Sequence, residues 1–390
     1  MLDDKKINEL LERGVEEIID YENLRNKLFS GKQLRVKFGI DPTSPNIHIG
    51  RSVPLLKLRD FQELGHKIVF IIGDFTGVIG DTSDKDSERP MLSRVKVEEN
   101  MTGYISQAGK ILDMSMCEIH YNSEWLDKLK YFEICEQANI FSLAEFIARE
   151  KIRLRLNSGT RISLREILYP LMQGYDSVAI NADVEIGGTD QRFNLLAGRS
   201  MQSYYKQAPQ DIIMGPIIDG TDGRKMSSSW GNTVNITASP NDVFGKIMSI
   251  VDEQIIPYFI YLTRVPMREV AKYKQDLADG ENPKNIKMLL AFELTRMYHG
   301  SEAAEDAKKY FIDLFSSREL PKDMPIFKPD NYDVLSILLE LKLCSSKSEA
   351  RRLIGGGGIR INNEKIDNPE YLVKSDDVLQ KGPRVFFKIS

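Results

Sequence analysis

Cysteine, histidine and tryptophan are scarce in this 390-residue chain, at three, four and two residues. The cysteines (Cys117, Cys135, Cys344) lie far apart with no Cys-x-x-Cys, which fits neither a disulfide framework nor a zinc site, and with so few histidines no tightly bound protein metal is expected. No apolar run approaches the roughly 20 residues of a membrane-spanning helix. The opening Met1-Leu-Asp-Asp-Lys-Lys is too acidic and polar for a secretory signal. The expectation is a cytoplasmic protein with no membrane partner. Nor does one sign of charge dominate: 53 Lys+Arg against 57 Asp+Glu leave −4, which argues against indiscriminate nucleic-acid binding.

In bulk the chain is that of a soluble globular protein, 42% hydrophobic and 28% charged, and its length predicts two or three domains. Its charge is uneven. Asp333 to Ser390 carries ten Lys+Arg against eight Asp+Glu, a net of +2 that leaves −6 for the rest. A mildly basic tail on an acidic body points to a local polyanion contact.

Residues 3 to 28 keep a 3.6-residue apolar period through Ile7, Leu10, Leu11, Val15, Ile18, Ile19 and Leu24, which predicts a helix. Leu34 to Ile40 reads as a strand; a loop with two prolines follows, and Val53, Leu55, Leu56, Leu58 and Phe61 begin a helix. A helix start offers unpaired N–H groups and partial positive charge, so phosphate is its natural guest, with His48 and Thr43 beside it. Taken alone, His48 reads first as a loop histidine capping a helix. Lys67 to Gly73 is an unbroken apolar run, as in an interior parallel strand, and the glycine-bearing loop Asp74 to Pro90 lies where ligands gather at strand ends. Lys85 and Arg89 in that loop also read as two solvated cations.

Residues 93 to 160 alternate helical stretches with one apolar run near Met116 to Tyr121, and Phe132, Ile134, Ile140, Phe141, Phe146 and Ile147 suit either a core or an interface. Arg165 to Ala179 reads as a helix with Tyr169, Gln173 and Asp176 on one face. Leu168, Leu171, Met172 and Tyr175 make the rest of it apolar, and a buried Tyr-Gln-Asp face implies a polar guest. A strand from Asp183 ends in a double glycine with a new helix from about Asp190, and Asp211 to Ile218 is a further strand. Gly223 to Asn232, with small serines between glycines, reads as a mobile loop suited to closing over a ligand. Residues 240 to 317 are helical in pattern, and Ser316 to Asp330, with three prolines, reads as a linker. In the last 58 residues a capping box, Ser346 to Glu349, starts a helix with Lys347, Arg351 and Arg352 on one side; Gly355 to Gly358 stops it, and a hairpin turns at Asn362-Asn363.

Two of these stretches resemble a known family when taken together. His48-Ile-Gly-Arg51 resembles the HIGH motif of class I aminoacyl-tRNA synthetases, and Lys225-Met-Ser-Ser-Ser229 resembles their KMSKS loop. Tyr169 to Asp176 and Glu185 to Gln191 resemble the tyrosine and nucleotide segments of the bacterial-type tyrosyl-tRNA synthetases, in a subgroup marked by Lys37 and Glu185, and the C-terminal helix and hairpin resemble a small RNA-binding module of a ribosomal protein. The resemblance implies an α/β fold. A Rossmann-like catalytic domain with a parallel sheet would span 1–232, with a dimer-contact insertion at about 93–160. A helical domain (233–318), a linker (319–332) and a small α+β RNA-binding domain (333–390) would follow.

The implied reaction is attack of the tyrosine carboxylate on the α-phosphate of ATP, carried with Mg2+, then transfer of the tyrosyl group to the 3′ end of tRNA(Tyr) by a homodimer. His48 and Thr43 would meet the phosphates, with Lys225, Lys85 and Arg89 on the departing pyrophosphate. Gly39, Gly50, Arg51, Gly188, Asp190, Met226, Ser227 and Ser228 would line the ATP site. Lys37, Asp41, Thr76, Asp81, Tyr169, Gln173, Asp176 and Gln191 would surround tyrosine, with Asp176 accepting from the phenol. Lys347, Arg351, Arg352 and Arg360 would face RNA. The chain departs from the motifs at Arg51, in place of His, and at Ser228, in place of the second Lys, which leaves Arg224 as the nearest extra cation. Tryptophanyl-tRNA synthetase, a non-catalytic RNA-binding paralogue and a small-molecule nucleotidyltransferase are the rival readings; the phenol-directed face, the retained motif residues and the basic tail respectively tell against them.

Overall fold

The computed structural model describes residues 4–82, 87–88, 90–226, 230–316, 324–382 and 385–390. The chain divides into two compact units, Met1–Ala307 and Lys308–Ser390. Among the described residues no helix is long and apolar enough to cross a membrane.

The first unit opens with helix α1 (Asp4–Glu12), which buries Ile7, Leu10 and Leu11. The expected continuous helix over 3 to 28 is not what forms. Gly14 takes a positive φ of 67°, strand β1 (Glu17–Ile19) follows, and helix α2 (Tyr21–Phe29) resumes the pattern. The β-branched pair Ile18-Ile19 suits a strand as well as a helix, and an open sheet edge takes it up.

Four buried parallel strands, β2 (Arg35–Ile40), β3 (Lys67–Ile72), β5 (Val184–Gly188) and β6 (Asp211–Gly215), are joined by β4 (Glu118–Tyr121) beside β3. The order is β1-β6-β5-β2-β3-β4, with only β1 antiparallel, against β6. The chain builds outward from β2 through β3 to β4, then returns to the other side of β2 with β5. A reversal of this kind opens a crevice at the carboxyl ends of the two central strands, where α/β sheets bind ligands.

Helix α3 (Ser52–Glu63) buries Val53, Leu55, Leu56, Leu58 and Phe61. Helix α4 (Leu164–Ala179) is started by a full capping box between Ser163 and Glu166, worth roughly 1 kcal/mol. Glu166 is also bound by Arg155 and by Thr82, both at 2.6 Å, which anchors that helix end. Helix α5 (Arg192–Tyr204) packs on α4 so closely that a Cβ at Gly174 would lie 3.0 Å from Met201 Cγ and 3.2 Å from the Ala197 carbonyl carbon.

The second unit wraps a five-stranded sheet of β7 (Ile326–Phe327), β8 (Ile359–Ile361), β9 (Glu364–Lys365), β10 (Val378–Lys381) and β11 (Val385–Ile389), ordered β7-β11-β10-β8-β9, around a core that includes Ile337, Leu338, Ile354, Ile359 and Leu379. Strand β7 (Ile326–Phe327) lies within the expected linker and corrects it: Ile326-Phe327 pairs in parallel with β11 (Val385–Ile389). Helix α6 (Lys347–Gly355) is capped by Ser346, whose hydroxyl accepts from Glu349 N at 3.3 Å. The Glu349 carboxylate turns to Ser345 N and Oγ, so only half of the expected box forms. Asn362 and Asn363, at φ 50° and 69°, make the tight hairpin turn between β8 (Ile359–Ile361) and β9 (Glu364–Lys365).

Candidate active site

Backbone pairing brings the two signature stretches together. Ile49 N donates to Val234 O at 2.8 Å and Ile236 N to Ile47 O at 3.0 Å, with His48 opposite Asn235 in an antiparallel bridge. The segment leaving the Lys225 loop is thus zipped to the segment entering α3. Gly50 leaves room for this: a Cβ there would stand 3.1 Å from the His48 ring and from Met226 Sδ. Burial first, and the Arg51 charge second, hold His48 down at about 4, so the imidazole is neutral near pH 7. Its Nδ1 is buried and finds no partner among the described residues. Arg51 reaches back to Asp41 O (3.3 Å) and Thr43 Oγ1 (3.4 Å), which ties the fourth motif position to the β2 end of the crevice.

Across the crevice Lys225 Nζ stands 3.8 Å from Asp190 Oδ2. Asn232 donates to Asp222 Oδ1 (2.8 Å) and to the Lys225 carbonyl (3.2 Å), which joins the two ends of the loop. Arg224 is less free than the sequence suggests: its guanidinium is paired with Asp222 at 2.8 Å and lies over the Trp230 ring at 5.1 Å. Ser227, Ser228, Lys85 and Arg89 lie outside the described residues.

Four of the residues expected around tyrosine, Tyr169, Asp41, Thr76 and Asp176, are joined through Asn122 in one hydrogen-bonded chain. Tyr169 OH donates to Asp41 Oδ2 (2.8 Å), Thr76 Oγ1 to Asp41 Oδ1 (2.7 Å), and Asn122 Nδ2 to Thr76 Oγ1 (2.9 Å). Asn122 also reaches Asp176 Oδ2 at 3.4 Å, and Trp125 Nε1 donates to Asp176 Oδ1 at 2.8 Å. Gly73 is obligatory at the bend of this chain, because a Cβ would collide with Asp41 Oδ1 and Thr76 Oγ1. Burial raises Asp176 to about 7, opposed by the Lys37 charge and the Trp125 and Asn122 bonds; burial raises Asp41 to about 6, opposed by Thr76 and Tyr169. Buried carboxylates with no ion-pair partner among the described residues suit a guest that brings a donor.

Gln173 donates to Glu185 Oε1 at 3.1 Å while its own Oε1 is buried and unpartnered among the described residues, an acceptor open to an ammonium. Asp81 receives Asn194 Nδ2 at 3.3 Å and is half-buried. Gln191 and Gly188 lie at the end of β5, where a Cβ on Gly187 would stand 3.0 Å from Gln191 Oε1. Lys37, expected beside the substrate, is fully buried and engaged by protein groups. Sequence reasoning missed Asn122 and Trp125. Their one signal was position, directly after a short strand, where loop residues face a crevice. In the second unit Lys347, Arg351, Arg352 and Arg360 are all exposed.

Two family models match this chain: class I tRNA synthetases (W and Y) over residues 30–316, and the S4 domain over residues 335–379. A tyrosine–tRNA ligase of Thermotoga maritima is 43% identical over 386 residues, covering 98% of this chain and 96% of that protein. One of Haemophilus influenzae is 43% identical, with 97% and 95% covered. A solved tyrosyl-tRNA synthetase from Archaeoglobus fulgidus, complexed with L-tyrosine, matches at a TM-score of 0.62 and 23% identity, over 78% of this chain and 98% of its own. At that identity the likeness is one of fold.

Proposed function

The chain belongs to the class I tRNA synthetases of the tryptophan and tyrosine group and activates L-tyrosine with ATP for transfer to tRNA, and from that premise we propose which side chains carry each step. Asp176 accepts the phenolic hydroxyl, and Gln173, Tyr169 and Asp81 surround the ammonium, with Asp41, Thr76 and Gln191 ordering the pocket. The observation that carries this reading is the Tyr169-Asp41-Thr76-Asn122-Asp176 chain, which holds two buried carboxylates in place for a small polar guest. A site built to bond a hydroxyl rejects the analogue that lacks it, a rule for which the tyrosine enzymes of this family are the standing example.

No protein nucleophile is needed. The substrate carboxylate attacks the α-phosphate, and the protein's share is to position the reactants and stabilise the charge that develops. His48 meets the phosphates as a neutral donor, helped by Thr43 and the start of α3. Lys225, with Lys85 and Arg89, draws off the pyrophosphate, and Asp190 with Gly188 and Gly50 receives ribose and adenine. Mg2+ enters as part of the ATP substrate, held largely by phosphate oxygens. Residues 1–232 and 233–318 do this work, and 333–390 holds RNA through Lys347, Arg351, Arg352 and Arg360, whose exposure supports a phosphate contact. The exposed Tyr131 and Phe132 of the 93–160 insertion, with Leu164 just beyond it (83%, 72% and 77%), support a homodimer through this region, and the cytoplasm is its setting.

ATP–pyrophosphate exchange with each amino acid in turn tests the reading. Exchange with tyrosine alone is expected. Equal exchange with phenylalanine or tryptophan would overturn the pocket assignment.

A further inference from the structure

Two buried charges under the pocket are left without a part by the reading above. Lys37 on β2 and Glu185 on β5 are register partners across the point where the strand order reverses. Their side chains are 0% and 1% exposed, and Nζ lies 2.9 Å from Glu185 Oε1. The ammonium also donates to Ser177 Oγ (2.7 Å) and to the Gln173 carbonyl (2.8 Å). An ammonium has three N–H donors. All three are therefore engaged within the protein, and none is left for a bound phenol.

Glu185 is equally occupied. It accepts from Gln173 Nε2 at 3.1 Å, from Ser177 Oγ at 3.2 Å and from Gln210 Nε2. Burying a pair of charges costs several kcal/mol per ion, and a well-packed apolar pair would hold two strands together as well, so stability alone does not account for it. What the pair grips is specific. Its bonds to α4 fall on Gln173 and Ser177, which bracket Asp176 within one helical turn.

Resting on the assignment of Gln173 and Asp176 to tyrosine, we propose that Lys37 and Glu185 are a positioning pair that sets tyrosine selectivity from beneath the pocket, fixing the Gln173 amide and keeping Asp176 in its charged, accepting form. The groups acting on Asp176 are the Lys37 ammonium on β2, the Glu185 carboxylate on β5, the Trp125 indole and Asn122 amide after β4, and the Tyr169 phenol on α4 itself. Lys37 supplies the positive charge in that set. Glu185 holds the lysine in place, and Ser177 and Gln173 fix where it points.

The test is a pH series of ATP–pyrophosphate exchange on the full chain with tyrosine and phenylalanine, comparing the unaltered protein with Lys37→Met and with the double variant Lys37→Gln/Glu185→Gln, which removes both charges but keeps hydrogen-bonding groups. Each is first checked by thermal melting. For folded Lys37→Met the KM for tyrosine should rise about fivefold at pH 7 and recover by pH 9, its midpoint moving alkaline by about one pH unit, with a smaller move in the double variant because the opposing Glu185 charge goes too, while the KM for ATP stays put. An unmoved midpoint, or an equal rise in both KM values, would overturn the proposal. Failure of both variants to fold would make the pair structural, and would overturn it too. Asp176→Asn separates the two readings: if it leaves selection for tyrosine intact, the parent assignment fails; if it abolishes selection while the Lys37 variants keep the midpoint, only the positioning role fails.

Discussion

Asp176 is under two opposed demands. Its burial raises it to about 7, whereas an exposed or unfolded aspartate titrates near 3.8. Between those limits the folded state holds a proton that the unfolded state has lost, so this group's contribution to stability falls as pH rises from about 4 to 7. On the proposed assignment tyrosine binding runs the other way, since the phenol donates best to the carboxylate. Asp176→Asn should therefore melt higher than the unaltered protein at pH 8, by up to roughly 4 kcal/mol, and gain little at pH 4. The same variant should bind tyrosine more weakly in calorimetry at pH 8. A stability gain that grew toward acid pH would contradict the burial argument.

His48 carries the opposite lesson at the same scale. Burial keeps it neutral down to about pH 4, so the pH profile of pyrophosphate exchange should show no limb from this histidine between pH 5 and 9. His48→Asn should lower kcat by about ten- to a hundredfold with the KM for tyrosine unchanged, because its proposed partner is phosphate. An inflection near 6.5 that vanished in the variant would place a protonated imidazole in the mechanism.

At the scale of the element, the sharpest constraint is the bend after β3. A methyl group at Gly73 has no space between Asp41 Oδ1 and Thr76 Oγ1. Gly73→Ala should raise the KM for tyrosine at least tenfold by breaking the chain that orders the pocket, with little change in the circular dichroism spectrum. A normal KM would mean that the Tyr169-Asp41-Thr76 chain is not needed for binding.

How far the elements could be read from the sequence depended on whether their cause was local. β2, the loop and α3 were legible because β-branched residues, prolines and a helical period follow one another. α4 was legible because its polar triplet interrupts an apolar helix. β1 was not, since Ile18 and Ile19 satisfy a helix and a strand alike, and only the edge of β6 decides between them. β7 was hidden among prolines for the same reason: its partner is the last strand of the chain. The engagement of Lys37 was beyond reach because it depends on the register of β2 against β5, almost 150 residues later. Asn122 and Trp125 come to Asp176 by a similar long return.

For the whole molecule, the two compact units suggest separable duties. A fragment ending at Ser316 should keep pyrophosphate exchange while losing most tRNA charging, since the exposed cations of the second unit are absent from it. Loss of both activities together would show that the second unit is needed for the first to work. Phe132→Asp and Leu164→Asp should shift the mass seen by light scattering from two chains to one. A mass that does not change would place the contact elsewhere.

The bridge between His48 and Asn235 bears on how such a chain can be recombined. Its halves come from stretches nearly two hundred residues apart, yet each supplies backbone bonds to the other. A chimera that takes its amino-terminal half from one relative and its carboxyl-terminal half from another therefore splits a single seam. Crossovers that keep 47–49 and 234–236 from the same parent should yield active hybrids more often than crossovers that separate them.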